Sequence, residues 1–95
     1  MPDEPEFEWD EAKSRKNLRE RGFDFEFATR IFDGPCIEEE DLRRNYGERR
    51  IAATGKIEDG IVVVVYTQRG ERRRIISARP AKSKERDDYS KAYPG

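Results

Sequence analysis

The feature that most constrains the fold is a short, unbroken apolar run in the second half of a highly charged chain. Residues 61–65 read IVVVV, whereas only 34% of the whole sequence is hydrophobic and 43% is charged. Such a density of β-branched residues favours a strand, and the lack of polar alternation favours one that is covered on both faces. Residues typical of turns lie on both sides of the run, one turn ending with Gly60 before it and another with Gly70 after it. The sequence therefore predicts a central strand at residues 61–68 between two antiparallel neighbours.

The segments on either side of this strand complete a small α+β domain. Residues 49–57 and 72–79 are the neighbouring strands, and Gly55 is a candidate β-bulge in the first of them. The other predicted elements are a first strand at residues 7–9, a short edge strand at 36–37, and helices at 11–21, 25–32 and 81–92. We predict a small antiparallel β-sheet, a meander of three to four strands, with two amino-terminal helices packed on it and a carboxy-terminal helix.

A chain of 95 residues has room for one such domain. The expected domain is residues 1–95, made up of a disordered start at 1–5, a core at 6–89 and a flexible tail at 90–95. Asp10 is a suitable N-cap for the first helix. The apolar face of that helix is thin, consisting of Ala12 and Leu18, so we expect it to pack lightly. The acidic run at residues 38–41 is predicted as a solvated loop.

Charge is divided unevenly along the chain, although the formal net charge is only −1. Residues 3–11 contain six acidic residues and no basic one, whereas residues 69–86 contain eight basic residues and two acidic ones. A chain that is neutral overall can still present a field of one sign on one face. One interpretation is a platform for a polyanion, which makes nucleic acid the first partner to consider. The alternative is that the two segments neutralise each other in the fold.

Residue types that are scarce exclude several classes of site. The sequence contains no histidine and a single cysteine, Cys36, which rules out His-based triads, the common zinc ligand sets and an internal disulfide. No apolar run approaches the roughly 20 residues that cross a bilayer, and the acidic amino terminus is the opposite of a secretory signal. We expect a cytoplasmic protein that needs no metal or cofactor, with Arg, Lys, Tyr, Asp, Glu or Ser as its available chemistry.

The arginine-rich strand at residues 72–79 poses a geometric question. A regular strand places Arg72, Arg74, Ile76 and Ala78 on one face and Arg73, Ile75, Ser77 and Arg79 on the other. Arg74 and Arg79 therefore share a face only if a twist or bulge intervenes; otherwise they have different roles. Arg50, at the start of the preceding strand, is a candidate companion. Few acidic residues lie nearby in sequence, so we do not expect an ion pair for every arginine.

Arginines grouped on a rigid sheet suit phosphate. Each guanidinium offers a planar fork of donors, and several together stabilise the extra negative charge of a reacting phosphate. Tyr66 and Tyr89 offer a phenol for proton transfer or a face for base stacking, and Lys13 and Lys56 are further cations. These residues alone do not separate binding from cleavage, because the sequence has no Walker loop, paired metal-binding acids or nucleophile motif.

Two ordered motifs go beyond composition, namely VVYT at residues 64–67 and RIISAR at residues 74–79. Shorter pieces are distributed along the rest of the chain. In order they are Phe7-Glu8-Trp9-Asp10 with Lys13 and Asn17, Gly22 with Phe23, Phe25-Glu26, Phe32-Asp33, Tyr46-Gly47-Glu48-Arg49-Arg50, Gly55, Arg69-Gly70, and Glu85, Arg86 and Tyr89. In these pieces, from residue 7 to about residue 89, the chain resembles the BrnT toxin family, the toxin half of a bacterial type II toxin–antitoxin pair.

The resemblance implies a RelE-like fold and a metal-independent endoribonuclease that inhibits translation. The reaction we expect is attack by the RNA 2′-hydroxyl on its adjacent phosphate, which leaves a 2′,3′-cyclic phosphate and a free 5′-hydroxyl. We predict Arg50, Arg74, Arg79, Lys13 and Tyr66 as catalytic residues. We predict Arg69, Arg72, Arg73, Lys82 and Tyr89 as RNA-binding residues. Many family members carry histidines near the positions of Glu20 and Tyr66; this chain has none, which shifts proton transfer to Tyr66, Tyr89 or a carboxylate.

The resemblance also implies partners. The first is a ribbon-helix-helix, BrnA-like antitoxin that neutralises the toxin and represses the operon with it, so that operator DNA is contacted only through the antitoxin. RNA is the substrate, no membrane is involved, and the assembly is a homodimer or a heterotetramer with the antitoxin. Two alternatives stay open: a module that binds RNA or the ribosome without cutting, and an inactive homologue that retains only antitoxin binding.

Overall fold

A computed structural model describes residues 6–42 and 47–94. In chain order its elements are β1 (Phe7–Trp9), α1 (Glu11–Arg21), α2 (Phe25–Ala28), a 3-10 helix (Thr29–Asp33), β2 (Cys36–Glu40), β3 (Ile51–Ile57), β4 (Gly60–Arg69), β5 (Arg72–Pro80) and α3 (Ser83–Ala92). None of the helices within these residues is long and apolar enough to cross a membrane. The expected disorder of residues 1–5, the Tyr46 match and Gly95 of the expected tail lie outside the described residues.

The α+β class is confirmed, but the sheet is larger than expected and mixed. Its five strands follow the order β1-β5-β4-β3-β2. The predicted antiparallel meander is β3, β4 and β5, and β2 extends it antiparallel to β3. β1 adds to the other edge in parallel with β5, with Phe7 beside Arg73 and Trp9 beside Ile75. The prediction of a purely antiparallel sheet of three to four strands was wrong, because no local pattern encodes a pairing between the two ends of the chain.

β2 also runs further than the sequence indicated. The acidic run was expected as a loop, yet Glu38, Glu39 and Glu40 pair in register with β3. β2 lies at an edge of the sheet, where side chains reach solvent and charged residues are tolerated. The edge strand predicted at residues 36–37 was therefore in the right place and too short.

Polar side chains hold α1 in place. Its bounds match the prediction, but Leu18 is 49% exposed, and the buried residues of the helix are Ser14 and Asn17. Ser14 Oγ accepts a hydrogen bond from the backbone N of Phe25 at 2.9 Å, and Asn17 Nδ2 donates to the carbonyl of Phe23 at 2.8 Å. The expected apolar contact through Leu18 is replaced by hydrogen bonds to the segment that follows the helix.

The hydrophobic core lies between one face of the sheet and the segment that begins with α2. Predicted as one helix at residues 25–32, this segment tightens into the 3-10 helix after Ala28. Phe25, Ala28 and Ile31 are at most 2% exposed. They pack against Ala53, Ile57, Val62, Val64, Tyr66, Ile75 and Ala78 of the sheet. We call this side of the sheet the helix face.

α3 packs on the opposite side of the sheet. A groove between them is lined by Thr54 and Val63 of the sheet and by Glu85 of α3. The hydroxyl of Tyr89 donates to the carbonyl of Pro35 at 2.9 Å, which fixes the helix to the segment before β2. Every residue of β4 from 62 to 67 is buried, so the prediction of a central strand covered on both faces is confirmed.

Gly55 allows a close packing contact and does not form a β-bulge. It pairs regularly with Val62 in β4, and the irregularity of the sheet lies elsewhere, in β5. A Cβ atom on Gly55 would lie 2.6 Å from the Cβ of Ile31, closer than carbon atoms approach without strain. The bulge predicted at Gly55 was wrong, and glycine is needed there because the 3-10 helix crosses β3 in contact with its backbone.

We therefore expect Gly55→Ala to lower the free energy of unfolding by about 1–3 kcal/mol, the usual cost of overpacking a core. Urea denaturation followed by circular dichroism measures this change. Gly34→Ala is the matched control, because a Cβ there meets nothing within 4 Å. Equal stability of the two variants would contradict the close approach of Ile31 to β3.

Candidate functional site

A β-bulge in β5 decides which of its side chains share a face. Tyr66 pairs with Ile75, but Val65 pairs with Ser77, which leaves Ile76 as an extra residue. Side chains alternate between faces on each side of a bulge, and the extra residue reverses the alternation across it. The face assignment expected for a regular strand is therefore wrong beyond Ile75.

As a result, Arg72, Arg74 and Arg79 lie together on the side of the sheet opposite the helix face. We call this surface the arginine face. The sequence left open whether a twist or bulge brings Arg74 and Arg79 to one face or the two have different roles. In the structure a bulge brings them to one face. Arg50 immediately precedes β3, and continuing the β3–β4 register by one residue sets it beside Thr67, the partner of Arg74. By this register, Arg50 would share the arginine face with Arg74 and Arg79.

Carboxylates from the amino terminus meet these arginines. Through β1, Glu8 lies 3.0 Å from Arg74 and 3.9 Å from Arg72, and Glu6 lies 3.5 Å from Arg73 on the other side of β5. The oppositely charged segments do meet in the fold, as the alternative interpretation held, and the carboxylates that reach these arginines come from a distant part of the sequence. Because Glu8 is shared between two guanidinium groups, positive charge remains on the arginine face.

Arg79 makes a two-pronged ion pair with α3. Its Nη1 and Nη2 each donate to one carboxylate oxygen of Glu85 at 2.8 Å. Glu85 also accepts a hydrogen bond from the backbone N of Lys82 at 2.7 Å, in the first turn of the helix. These donors, Arg79 foremost, lower the pKa of Glu85 to about 2. The end of β5 is thereby tied to the start of α3, with the guanidinium held in one orientation.

A second cluster lies on the helix face, where β4 approaches β2. Tyr66 is 6% exposed, and its hydroxyl donates to Glu38 Oε2 at 2.9 Å. Burial, followed by this hydrogen bond, raises the pKa of Tyr66, so the phenol stays protonated at neutral pH. Arg73 stacks beside it, with Cζ 4.4 Å from the ring centroid of Phe32 and 5.4 Å from that of Tyr66.

Tyr66 and Glu38 line an open groove of about 610 Å³, which we call the Tyr66 groove. Ile51 and Thr67 also line it, as does Arg49, whose guanidinium lies 3.4 Å from Glu40. A volume of this order accommodates a nucleotide-sized ligand. Within residues 6–42 and 47–94, no three Cys, Asp or Glu side chains are grouped so that they could hold a metal ion.

The structure divides the candidate catalytic residues between separate places. Arg50, Arg74 and Arg79 come to the arginine face, whereas Tyr66 lies on the helix face. Lys13, on α1, lines a different groove that includes Ile76 and Ser77 beside the bulge. The candidates therefore do not form one compact cluster.

The candidate RNA-binding residues are divided as well. Arg69 and Arg72 face each other across the β4–β5 turn, and Lys82 lines a groove with Arg79. Arg73 belongs to the helix face. Tyr89 is 4% exposed, and its burial leaves no ring face open to a base, so we do not carry it into the proposal below.

Three carboxylates were missed by the sequence reasoning, namely Glu8, Glu38 and Glu85. Two of them had a local signal. Glu8 alternates with the apolar residues of β1, which marks it as the side chain on the other face, and Glu85 follows Lys82 at the capping-box spacing. Nothing near Glu38 in sequence indicates a tyrosine partner, because their contact depends on two intervening strand pairings.

A comparison with protein families supports the resemblance seen in the sequence. The model of a family described as "Ribonuclease toxin, BrnT, of type II toxin-antitoxin system" matches residues 9–85, most of the chain. The matched segment includes the bulge of β5 and both sides of the sheet described above. A search of curated proteins finds no match to the chain.

The Arg79–Glu85 pair predicts a pH-dependent contribution to stability. Because folding lowers the pKa of Glu85 from 4.5 to about 2, the ionised carboxylate stabilises the fold fully above pH 4.5 and loses that effect as the pH falls toward 2. We expect wild type to exceed Glu85→Gln in unfolding free energy near neutral pH, with the difference shrinking across this window. Urea denaturation at a series of pH values measures it.

Asp88→Asn is the control for this experiment, because Asp88 pairs with Lys84 on the exposed side of the same helix at 3.1 Å. An exposed pair of this kind contributes at most about 1 kcal/mol. A difference between wild type and Glu85→Gln that stays constant down to pH 2 would show that the Arg79–Glu85 pair is not the cause.

Proposed function

The chain belongs to the BrnT family, ribonuclease toxins of type II toxin–antitoxin systems, and from this premise we propose that it is a metal-independent endoribonuclease. We propose further that it has a RelE-like fold and acts in the cytoplasm by inhibiting translation. In the reaction the RNA 2′-oxygen attacks the adjacent phosphorus and the bond to the 5′-oxygen breaks. The products carry a 2′,3′-cyclic phosphate and a 5′-hydroxyl. Because the nucleophile belongs to the substrate, the protein supplies positioning, charge stabilisation and proton transfer.

The observation that carries this proposal is the arginine face. A guanidinium fork matches two oxygens of a phosphodiester, and the bulge at Ile76 brings Arg74 and Arg79 to one side. Partly exposed ion pairs such as those of Glu8 are worth only about 0–1 kcal/mol, so a phosphate can take the place of that carboxylate on Arg72 and Arg74. In the proposal Arg50, Arg74 and Arg79 hold the reacting phosphate and stabilise its transition state.

The remaining candidates have supporting roles in the proposal. Arg69, Arg72 and Lys82 bind neighbouring phosphates of the RNA strand, and Arg73 contributes from the helix face. Lys13 and Tyr66 assist proton transfer. The raised pKa of Tyr66 suits it to hold or donate a proton rather than to accept one at neutral pH.

We also propose that a ribbon-helix-helix, BrnA-like antitoxin neutralises the protein and represses the operon together with it. The contact of Glu8 with Arg72 and Arg74 supports an acidic docking segment, because it demonstrates how an acidic strand satisfies these arginines. In the proposal an acidic segment of the antitoxin replaces RNA on the same surface. Operator DNA is then contacted through the antitoxin.

The same ion pairs favour a second candidate function. If the carboxylates of Glu8 and Glu85 stay on their arginines, the chain is an inactive homologue whose arginine face serves antitoxin binding. The two functions differ in what the protein does to RNA. Incubation of purified protein with RNA in EDTA, followed by end-group analysis, separates them: cyclic phosphate ends support cleavage, and intact RNA supports a binding role.

Loss of a well-placed cation should reduce cleavage strongly. We expect Arg50→Ala, Arg74→Ala and Arg79→Ala each to lower the rate of RNA cleavage by on the order of 10²–10³, as for other donors that stabilise transition-state charge. Arg19→Ala, an exposed change on α1, is the control. Cleavage is measured by gel electrophoresis, and folding by circular dichroism. If the folded Arg50→Ala and Arg79→Ala proteins both cleave RNA and inhibit growth as wild type does, the arginine assignment fails.

Expression in cells tests the antitoxin. We expect growth inhibition when the chain is expressed alone, and relief when it is expressed with a neighbouring open reading frame that encodes a ribbon-helix-helix protein. Colony counts measure both. Harmless expression in both conditions would support the inactive homologue instead.

A further inference from the structure

We infer that Glu38 is the general base of the proposed reaction and that Tyr66 is the positioning residue that holds its carboxylate in the Tyr66 groove. This inference rests on the proposed function and deepens it, because it names the group that takes the proton from the ribose 2′-hydroxyl. It revises one point of that function: the cleaved bond lies on the helix face, so Arg50, Arg74 and Arg79 on the arginine face bind the adjoining RNA rather than the reacting phosphate, and their loss would raise KM more than it lowers kcat.

The hydrogen bond between the two residues leaves one carboxylate oxygen available. Glu38 Oε2 accepts from the Tyr66 hydroxyl at 2.9 Å. Across the described part of the chain, no other hydrogen bond or ion pair engages Glu38. Oε1 therefore remains open to a 2′-hydroxyl that enters the groove, within the reach that a general base requires.

Glu38 differs from its acidic neighbours in the kind of partner it has. Glu40 lies 3.4 Å from Arg49, and Glu48 lies 3.6 Å from Arg50. Glu40 and Glu48 are each held by a guanidinium group, whereas the partner of Glu38 is a neutral phenol that fixes the orientation of its carboxylate. Of the carboxylates lining the groove, Glu38 is the one held by a tyrosine.

Tyr66 is itself fixed by packing. It is 6% exposed, and its ring meets that of Phe32 edge-on with centroids 5.7 Å apart. A phenol fixed by the core, and kept protonated by the rise in its pKa, donates to Glu38 throughout the neutral range. Such a rigid support is what holds a catalytic group in its productive orientation.

The proposed step is balanced in atoms and protons. Glu38 Oε1 takes the proton from the 2′-hydroxyl as the 2′-oxygen forms its bond to phosphorus. The bond from phosphorus to the 5′-oxygen breaks, and the leaving 5′-oxygen takes a proton from solvent. Glu38 then releases its proton to solvent, which restores the carboxylate. Among the described residues, Arg49 lines the groove and Arg73 lies beside Tyr66, and in the proposal these two cations face the phosphate.

The test compares Glu38→Gln with Glu26→Gln, which changes an exposed carboxylate on α2 away from the Tyr66 groove. The substrate is a pool of oligoribonucleotides of random sequence, and kcat and KM are measured in EDTA. General base catalysis contributes roughly 10²–10⁴ in rate, so we expect kcat of Glu38→Gln to fall by that factor with KM little changed. Glu26→Gln should stay within a few-fold of wild type.

Chemical rescue separates a base from a merely structural group. Added formate should restore part of the activity of Glu38→Ala, because it can occupy the vacated carboxylate position, and should not raise the activity of wild type. Tyr66→Phe should lower kcat by less than Glu38→Gln does, because the carboxylate remains but loses its fixed orientation. Urea denaturation of each variant confirms that it is folded.

The outcomes distinguish a failure of this inference from a failure of the proposed ribonuclease function. If wild type cleaves RNA and folded Glu38→Gln has the same kcat, the assignment of Glu38 is overturned while the ribonuclease function stands. Loss of kcat in Glu38→Ala without any response to formate also overturns the role as base. If wild type leaves RNA intact, the function and this assignment fall together.

Discussion

Arginine-rich β5 would be the edge of the sheet if β1 did not pair with it. The pairing gives residues 73–75 of that edge a partner strand, and it also brings Glu6 and Glu8 to the guanidinium groups of the strand. Without Glu8, Arg72 and Arg74 would repel each other, because they lie two residues apart on the same face. Other features of the structure depend on this pairing because they belong to β5. They are the bulge at Ile76, most of the arginines of the arginine face, and the Arg79–Glu85 ion pair that ties α3 to the sheet.

The sheet separates two chemical environments that come from the same stretch of chain. On one side, guanidinium groups meet carboxylates that are themselves partly exposed, a setting in which a polyanion can exchange with the acids. On the other side, Tyr66 is clamped by aromatic rings and holds a carboxylate at the margin of the core. The proposals above assign RNA binding and proton transfer to opposite faces, and under them a substrate has to be long enough to reach around the end of the strands.

Much of the fold could be predicted from sequence, because its signals are local. The valine-rich β4, the bounds of α1 and the antiparallel meander each follow from periodicity, caps and turn residues. Three features could not be predicted, because each depends on pairing with another strand. They are the parallel pairing of β1, the extension of β2 through Glu38 and the bulge at Ile76. Ser14 and Asn17 illustrate the same limit: both look like surface residues of a helix, and both are buried by the segment they bind.

The extra residue in β5 has a consequence for how related sequences are compared. Arg74 and Arg79 are five positions apart, a spacing that would put them on opposite sides of a regular strand, and the extra residue Ile76 brings them to the same side. A relative with one residue fewer between the same two arginines, and no bulge, would also present them on the same side. A relative with this spacing in a regular strand would present them on opposite sides. The faces of two arginines in such a strand therefore follow from its pairing with the neighbouring strand, and an alignment of the charges alone does not give them.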